Sequence, residues 1–197
     1  FITGVTGQDG SYLAELLLKK NYTVHGLLRR TSTLNIERIQ EIINKYEKTG
    51  KLNLHYMDLT DTSSINNLII KYKPNEFYNL AAMSHVGISF YTGEATLNIN
   101  TLASYRILES ILKNHKRCKF YQASSSEMFG STPPPQNEKS SFNPQSPYGI
   151  SKVSAFHTTK YFRQAHGLFA SNGILFNHES PRRGLNFVTR KITHSLA

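Results

Sequence analysis

The chain has one cysteine, Cys118. A lone cysteine excludes an internal disulfide and fits a reducing compartment, so the cytoplasm is the expected location. No stretch approaches the roughly 18 apolar residues of a membrane span, and no signal-peptide pattern opens the chain. No membrane is therefore expected. The eight histidines make no close pair at metal-ligand spacing, so no metal site is expected. Acidic residues are scarce: 13 Asp and Glu stand against 23 Lys and Arg, a formal charge of +10. Such a balance can serve nucleic acid. Here the cations are spread out, and no recognised nucleic-acid motif accompanies them. The densest group, Lys113, Lys116, Arg117 and Lys119, lies where a helix should end, and cations there complement the helix dipole. No nucleic-acid partner is expected.

What is present is alternation. At 197 residues the chain can bury one sizeable core. Short apolar runs at 1–3, 22–28, 52–56, 76–79, 119–123 and 169–177 read as strands. Helical periods fall between them at 11–20, 36–46, 61–69, 97–113 and 148–166, with another beginning near 186. Asn35 and Asp61 are the expected N-caps. Residues 124–147 read as a long polar loop with five prolines. The pattern predicts an α/β fold, a Rossmann-type doubly wound parallel sheet. In such sheets ligands bind beyond the carboxyl ends of the strands. The chain opens inside an apolar run and stops inside an amphipathic one. The expectation is a piece of a longer protein, with residues 1–197 as one domain of it.

Tyr148 and Lys152 share one helical face. A free tyrosine, with a pKa of about 10, is a poor base at neutral pH. A neighbouring ammonium favours the phenolate. Of eleven tyrosines only Tyr148 has a lysine four residues on. The bland alternative is a surface tyrosine beside a solvated lysine. Gly4-Val5-Thr6-Gly7-Gln8-Asp9-Gly10 joins the first strand to the first helix. Glycines there let the backbone approach a pyrophosphate resting on free helix N–H groups. After the second strand, where an acid would select a free ribose hydroxyl, stand Arg29 and Arg30. Paired arginines suit a 2′-phosphate, so NADP is expected over NAD. Asp58, after the third strand, either accepts from the adenine amino group or caps a turn.

The glycine loop, Asn79-Leu80-Ala81-Ala82, Ser124-Ser125-Ser126-Glu127 and the Tyr148–Lys152 pair resemble extended short-chain dehydrogenases/reductases acting on nucleotide sugars. Gly10-Ser11-Tyr12-Leu13, Ala82-Met83-Ser84-His85-Val86 and Asn177-His178-Glu179-Ser180-Pro181-Arg182-Arg183-Gly184 look like the branch that dehydrates GDP-mannose. The resemblance runs the length of the chain and implies that residues 1–197 form an NADP-binding domain with the catalytic residues, the C-terminal substrate domain being largely missing. It implies conversion of GDP-mannose to GDP-4-keto-6-deoxymannose and water, through bound NADP. By position, Tyr148 takes the C4 hydroxyl proton, Lys152 lowers its pKa and holds the nicotinamide ribose, Ser125 hydrogen-bonds the C4 oxygen, and Glu127 removes the C5 proton. Related deoxythymidine-sugar enzymes usually have an aspartate where Ser126 stands, so Glu127 is expected to serve both as base and in protonating the leaving hydroxyl.

The resemblance assigns Gly4, Val5, Thr6, Gly7, Gln8, Asp9, Arg29, Arg30, Thr31, Ser32, Asp58, Leu59, Leu80, Ala81, Ala82, Met83, Ser84, Lys152, His178 and Arg183 to the cofactor. Ser84, Ser125 and Asn177 fall to the substrate. Ala95 stands where the family usually has a cofactor-touching tyrosine. Residues 31–35 resemble a segment that reaches a neighbouring subunit, and a homo-oligomer, dimer or tetramer, is expected at full length. Two alternatives stay open: a nucleotide-sugar 4-epimerase, which would not need Glu127, and a non-catalytic NADP-binding fragment.

Overall fold

A computed structural model describes residues 1–32 and 35–197. The chain divides into two compact units. One comprises residues 2–56 and 177–197; the other comprises residue 1 and residues 57–176.

The first unit holds β1 (Ile2–Thr3), α1 (Gln8–Lys19), β2 (Val24–Leu28), α2 (Gln40–Tyr46) and β3 (Leu52–Tyr56), with α8 (Val188–Leu196) near the end of the chain. Its strands are parallel: β2 lies between β1 and β3, with Ile2 opposite Gly26 and Val24 opposite Leu52. Parallel neighbours need a crossover, and α1 and α2 supply it. Of Leu13, Leu16 and Leu17, expected at helical spacing on α1, Leu17 is buried together with Ala14 and Leu18, Leu13 is half-buried and Leu16 is exposed. Asn35 is not the cap expected of it. The chain enters α2 through a 3-10 turn, Glu37–Ile39, and neither start is capped by a side chain. Burial of Ile39, Ile42 and Ile43 holds the segment instead. Of the segment expected to reach another subunit, Thr33 and Leu34 lie outside the described residues.

The second unit holds α3 (Thr62–Tyr72), β4 (Glu76–Asn79), α4 (Val86–Ser89), α5 (Gly93–Leu97), α6 (Ala103–Asn114), β5 (Lys119–Ser125), α7 (Pro147–His166) and β6 (Ala170–Leu175). Here β5 lies between β4 and β6, again parallel. Asp61 caps α3 as expected, accepting the Ser63 N–H at 2.9 Å. Phe77 and Phe120 meet across β4 and β5 at 6.0 Å between ring centroids. Burying each phenyl ring contributes about 1.5–3 kcal/mol. Two βαβαβ halves are the parts from which a doubly wound sheet is made.

Several boundaries differ from expectation. The long helix begins at Gly93 rather than Leu97, and a π-helical segment, Asn98–Leu102, joins α5 to α6. Strand β5 runs on through Ser124 and Ser125, which shortens the expected loop from its front. Strand β6 is shorter than expected, because its last partner on β5 is Ser125, opposite Leu175. The short helix α4 carried no sequence signal. Among the described residues, no helix is long and apolar enough to cross a membrane.

Candidate active site

Helix α7 carries the tyrosine–lysine pair. It starts where the sequence permits little else. Ser146 accepts the Gly149 N–H at 3.0 Å and Pro147 sits in the first turn, a pairing that suits a helix N-terminus. Both members of the pair are buried, Tyr148 at 8% exposure and Lys152 at 4%. A surface tyrosine beside a solvated lysine is therefore not what the chain builds. Lys152 Nζ donates to the Ala123 carbonyl at 2.8 Å and lies 5.7 Å from the Tyr148 ring centroid. Burial lowers the Lys152 pKa from 10.5 to about 8. An ammonium with that value is still mostly charged at neutral pH, and charge is what favours a phenolate.

Ser125 ends β5 and is buried. Its Oγ accepts the Glu127 N–H at 3.2 Å, which fixes the 3-10 turn Ser126–Met128. Gly149 lets this turn and α7 approach: a Cβ there would stand 2.8 Å from the Glu127 carbonyl. Close backbone approach thus sets Glu127 beside the first turn of α7. Among the described residues the Glu127 carboxylate has no hydrogen-bond or ion-pair partner, and the residue is partly exposed. Ser125, Glu127, Tyr148 and Lys152, separate in sequence, belong to one local construction.

A polar network behind these residues was not foreseen. Asn100, buried on the π-helical segment, accepts the Met83 N–H at 2.9 Å and donates to the Met83 carbonyl at 3.1 Å. It also donates to Ser151 Oγ at 2.9 Å, and the Ser151 hydroxyl donates to the Tyr148 carbonyl at 2.6 Å. One amide side chain therefore ties residues 80–84 to α7. Asn79 donates to Gln122 Oε1 at 2.9 Å, and Gln122 Nε2 reaches the same Ala123 carbonyl at 3.2 Å. For Gln122 the available signal was an amide inside a strand, between Tyr121 and Ala123; Asn100, among Asn98 and Thr101, carried none. Ser84 is exposed, Asp58 Oδ1 takes the Thr60 N–H at 2.8 Å in a turn, and the Leu59 carbonyl accepts from Arg106 at 3.4 Å. The turn-capping role open to Asp58 is thus occupied by one of its oxygens.

The glycine loop has the shape its spacing implied. Gly4 takes φ +67°, open to glycine at little strain. Gly10 lies so close to Gly4 that a Cβ would overlap its carbonyl oxygen. Gly7 caps α1 without a side-chain bond, and a helix N-terminus that lacks a capping side chain suits an anion. Val5 is buried, while Arg29, Arg30, Thr31 and Ser32 are exposed at the end of β2. In the same unit, His178 Nε2 lies 2.7 Å from Asp9 Oδ1, and Gln8 Nε2 donates to the His178 carbonyl at 3.2 Å. Asn177 is exposed. Arg183 stacks on Phe187 at 3.7 Å. Among the described residues Gln8 Oε1 and Arg183 Nε are buried without a hydrogen-bond partner. A glycine cradle beside the orphaned Arg183 donor fits a phosphate-bearing group, whereas the Gln8 oxygen can take only a donor.

The register of β2 and β3 also brings two histidines together. His25 Nδ1 lies 2.8 Å from His55 Nε2, the rings stack at 5.1 Å, and burial with the neighbouring ring lowers His25 to about 4. Among the described residues no group of three or more His, Cys, Asp or Glu side chains could hold a metal ion.

The fold matches solved structures of one class. A dTDP-glucose 4,6-dehydratase from Streptomyces venezuelae superposes with a TM-score of 0.84 at 20% identity, over 99% of this chain and 61% of that one. A UDP-glucuronic acid 4-epimerase from Bacillus cereus gives 0.83 at 24%, over 99% and 62%. The chain thus has the Rossmann-type, doubly wound parallel fold of short-chain dehydrogenases/reductases. A family model described as GDP-mannose 4,6 dehydratase matches residues 1–197. The chain belongs to that family. It is 54% identical to GDP-mannose 4,6 dehydratase 2 of Arabidopsis thaliana over 99% of its length and 50% identical to the Homo sapiens GDP-mannose 4,6 dehydratase over 100%. It spans 54% of the length of each of these relatives.

Proposed function

We propose that the whole protein is a GDP-mannose 4,6-dehydratase, converting GDP-mannose to GDP-4-keto-6-deoxymannose and water. The observation that carries this reading is a buried Tyr148–Lys152 pair built against a turn that presents an unpaired Glu127 carboxylate. Family membership supports the same substrate. NADP, when bound, takes up a hydride from C4 and returns it to C6. Tyr148 accepts the C4 hydroxyl proton, and the Lys152 charge keeps the phenol basic enough to do so. Ser125 orients the C4 oxygen. Once C4 is a ketone, the C5 proton is acidic; Glu127 removes it and passes it to the C6 hydroxyl, which leaves as water. As hydride returns to C6, the proton that Tyr148 took from the C4 hydroxyl is given back, directly or through solvent, at C5. The order is chemical: without the ketone, C5–H is too weak an acid for a carboxylate.

The glycine loop and Arg183 are assigned to the cofactor phosphates, and Arg29 and Arg30 to the 2′-phosphate that distinguishes NADP. Asp58, Leu59 and residues 80–84 hold the adenine and nicotinamide ends, and His178 and Asn177 complete the cofactor and substrate sets. Residues 1–197 form the cofactor-binding and catalytic part. The protein is assigned to the cytoplasm and to a homo-oligomer, dimer or tetramer.

Incubating full-length protein with GDP-mannose and following the sugar by NMR tests the reading. A 4-keto-6-deoxy product supports it; a C4 epimer without loss of water makes the protein an epimerase; no turnover with retained NADP binding makes it a binding protein.

A further inference from the structure

We propose that Arg38 is a positioning residue that clamps the glycine loop to the segment 178–184 and so preorganises the dinucleotide site. The proposal rests on the cofactor reading above. Arg38 lies in the 3-10 turn Glu37–Ile39, which buried Ile39 anchors. Its Nε donates to the Arg182 carbonyl at 2.7 Å. Its Nη1 donates to the Thr6 carbonyl at 3.4 Å, a longer and weaker contact. One planar guanidinium thus reaches two main-chain oxygens, one in each segment. Lysine, a point donor on a flexible stem, does not reproduce that fork.

The clamp continues through Arg182. Its Nη2 pairs with Glu15 Oε2 at 2.7 Å, Nη1 reaches Ser11 Oγ at 3.4 Å, and the guanidinium lies over Tyr12 at 4.2 Å. Arg182 is therefore occupied by the outer face of α1. Its neighbour Arg183 is not: among the described residues its Nε is buried without a hydrogen-bond partner, and Glu179 stands at 3.6 Å, beyond a hydrogen bond. The two arginines divide the work. Arg182, held by Arg38, fixes the backbone, and Arg183 keeps donor capacity for a ligand. The pair His178–Asp9 is a second tie between the same segments, so losing Arg38 loosens them without releasing them.

A loosened site must order itself on binding, and the affinity for cofactor falls. A positioning role makes that loss indifferent to the 2′-phosphate, whereas a direct phosphate contact would weaken NADP alone. The test uses full-length protein carrying Arg38→Met or Arg38→Lys. It measures NADP and NAD affinities by calorimetry and amide hydrogen exchange of the cofactor-free protein. Arg38→Met is expected to weaken both dinucleotides alike by roughly tenfold and to speed exchange at residues 6–8 and 182–184, with Arg38→Lys restoring only part. Unchanged affinity, loss confined to NADP, or unchanged exchange overturns the clamp. Should Arg38→Met fail to fold, Glu15→Gln, which releases Arg182 from the surface of α1, is expected to move both readouts the same way by a smaller factor. No effect there overturns the proposal. Wild-type protein that binds neither dinucleotide sinks the cofactor reading, while exchange in the variants still decides the clamp.

Discussion

Lys152 donates to the carbonyl of Ala123 at 2.8 Å, and this bond fixes the end of a side chain that burial would otherwise leave without a partner. Burial still dominates, taking the lysine from 10.5 down to about 8. Between those values the unfolded chain holds a proton that the folded protein has released, so stability rises with pH across that window. Below pH 8 both states are protonated and the fold bears the full penalty of the buried charge. At about 1.4 kcal/mol per pKa unit, the difference is on the order of 3 kcal/mol. Lys152→Met abolishes this component. Urea unfolding of both proteins from pH 7.5 to 10.5 should show wild type gaining on the variant; a constant difference would contradict the buried, depressed lysine.

Glu127→Gln keeps the shape of the turn, because the turn is held by the Glu127 N–H and Ser125 Oγ. It removes the carboxylate proposed as the base. Loss of general-base catalysis typically lowers rates about 10²–10⁴-fold. Full-length variant should bind NADP as wild type does and lose release of the 4-keto-6-deoxy product by such a factor. Turnover within a few-fold of wild type would move the C5 base elsewhere.

Asn100→Leu leaves the Met83 N–H and carbonyl and Ser151 Oγ short of a partner. Ser151 keeps its bond to the Tyr148 carbonyl, so the Met83 groups bear most of the loss, at about 1–3 kcal/mol for each group left without a partner. The midpoint of chemical unfolding should fall accordingly. Asn100→Asp sets a carboxylate oxygen against the Met83 carbonyl in place of the amide donor and buries a charge, so it should lose at least as much as Asn100→Leu; an Asn100→Asp variant as stable as wild type would remove the bidentate contact from the account.

Most of the strands and long helices were legible because their signals are local: alternation at Leu52, Leu54 and Tyr56, and a cap at Asp61. Helix α7 was legible from the spacing of Tyr148 and Lys152, while its cap Ser146 and first residue Pro147 fell in the stretch read as loop. What was not legible depends on partners far along the chain. Nothing in the sequence around Ser124 and Ser125 says that β6 will pair with them and extend β5. The histidines His25 and His55 meet only because Val24 pairs with Leu52. Asn100 reads as one polar residue among several until the π-helical segment and Met83 are in place. Arg182 looks equivalent to Arg183 until Glu15 claims one of them.

Arg29 and Arg30 are exposed at the carboxyl end of β2 with no acid in sequence beside them. Replacing either with Asp exchanges attraction for repulsion toward a 2′-phosphate and supplies an acceptor for a free 2′-hydroxyl. Hydrogen bonds to charged groups contribute about 1.5–3 kcal/mol, or roughly a tenfold to hundredfold change. The ratio of NADP to NAD affinity should fall by that much. An unaltered ratio would take both arginines out of the adenosine end.

Gly10→Ala tests the glycine loop where it is tightest. The added methyl carbon would overlap the Gly4 carbonyl oxygen, and the neighbouring Val5 Cα stands only 2.8 Å away. These are backbone atoms, so no side-chain rotation relieves the clash. The loop must open or the first turn of α1 must shift. Overpacking of this kind costs about 1–3 kcal/mol. The first N–H groups of α1 would also turn away from a bound phosphate, so affinity should fall for NADP and NAD together, in contrast to the arginine variants. Calorimetric titration with each dinucleotide, beside the unfolding midpoint, separates the two effects. A variant with normal stability and normal affinity for both would show that Gly10 is not pressed against Gly4 as the structure places it.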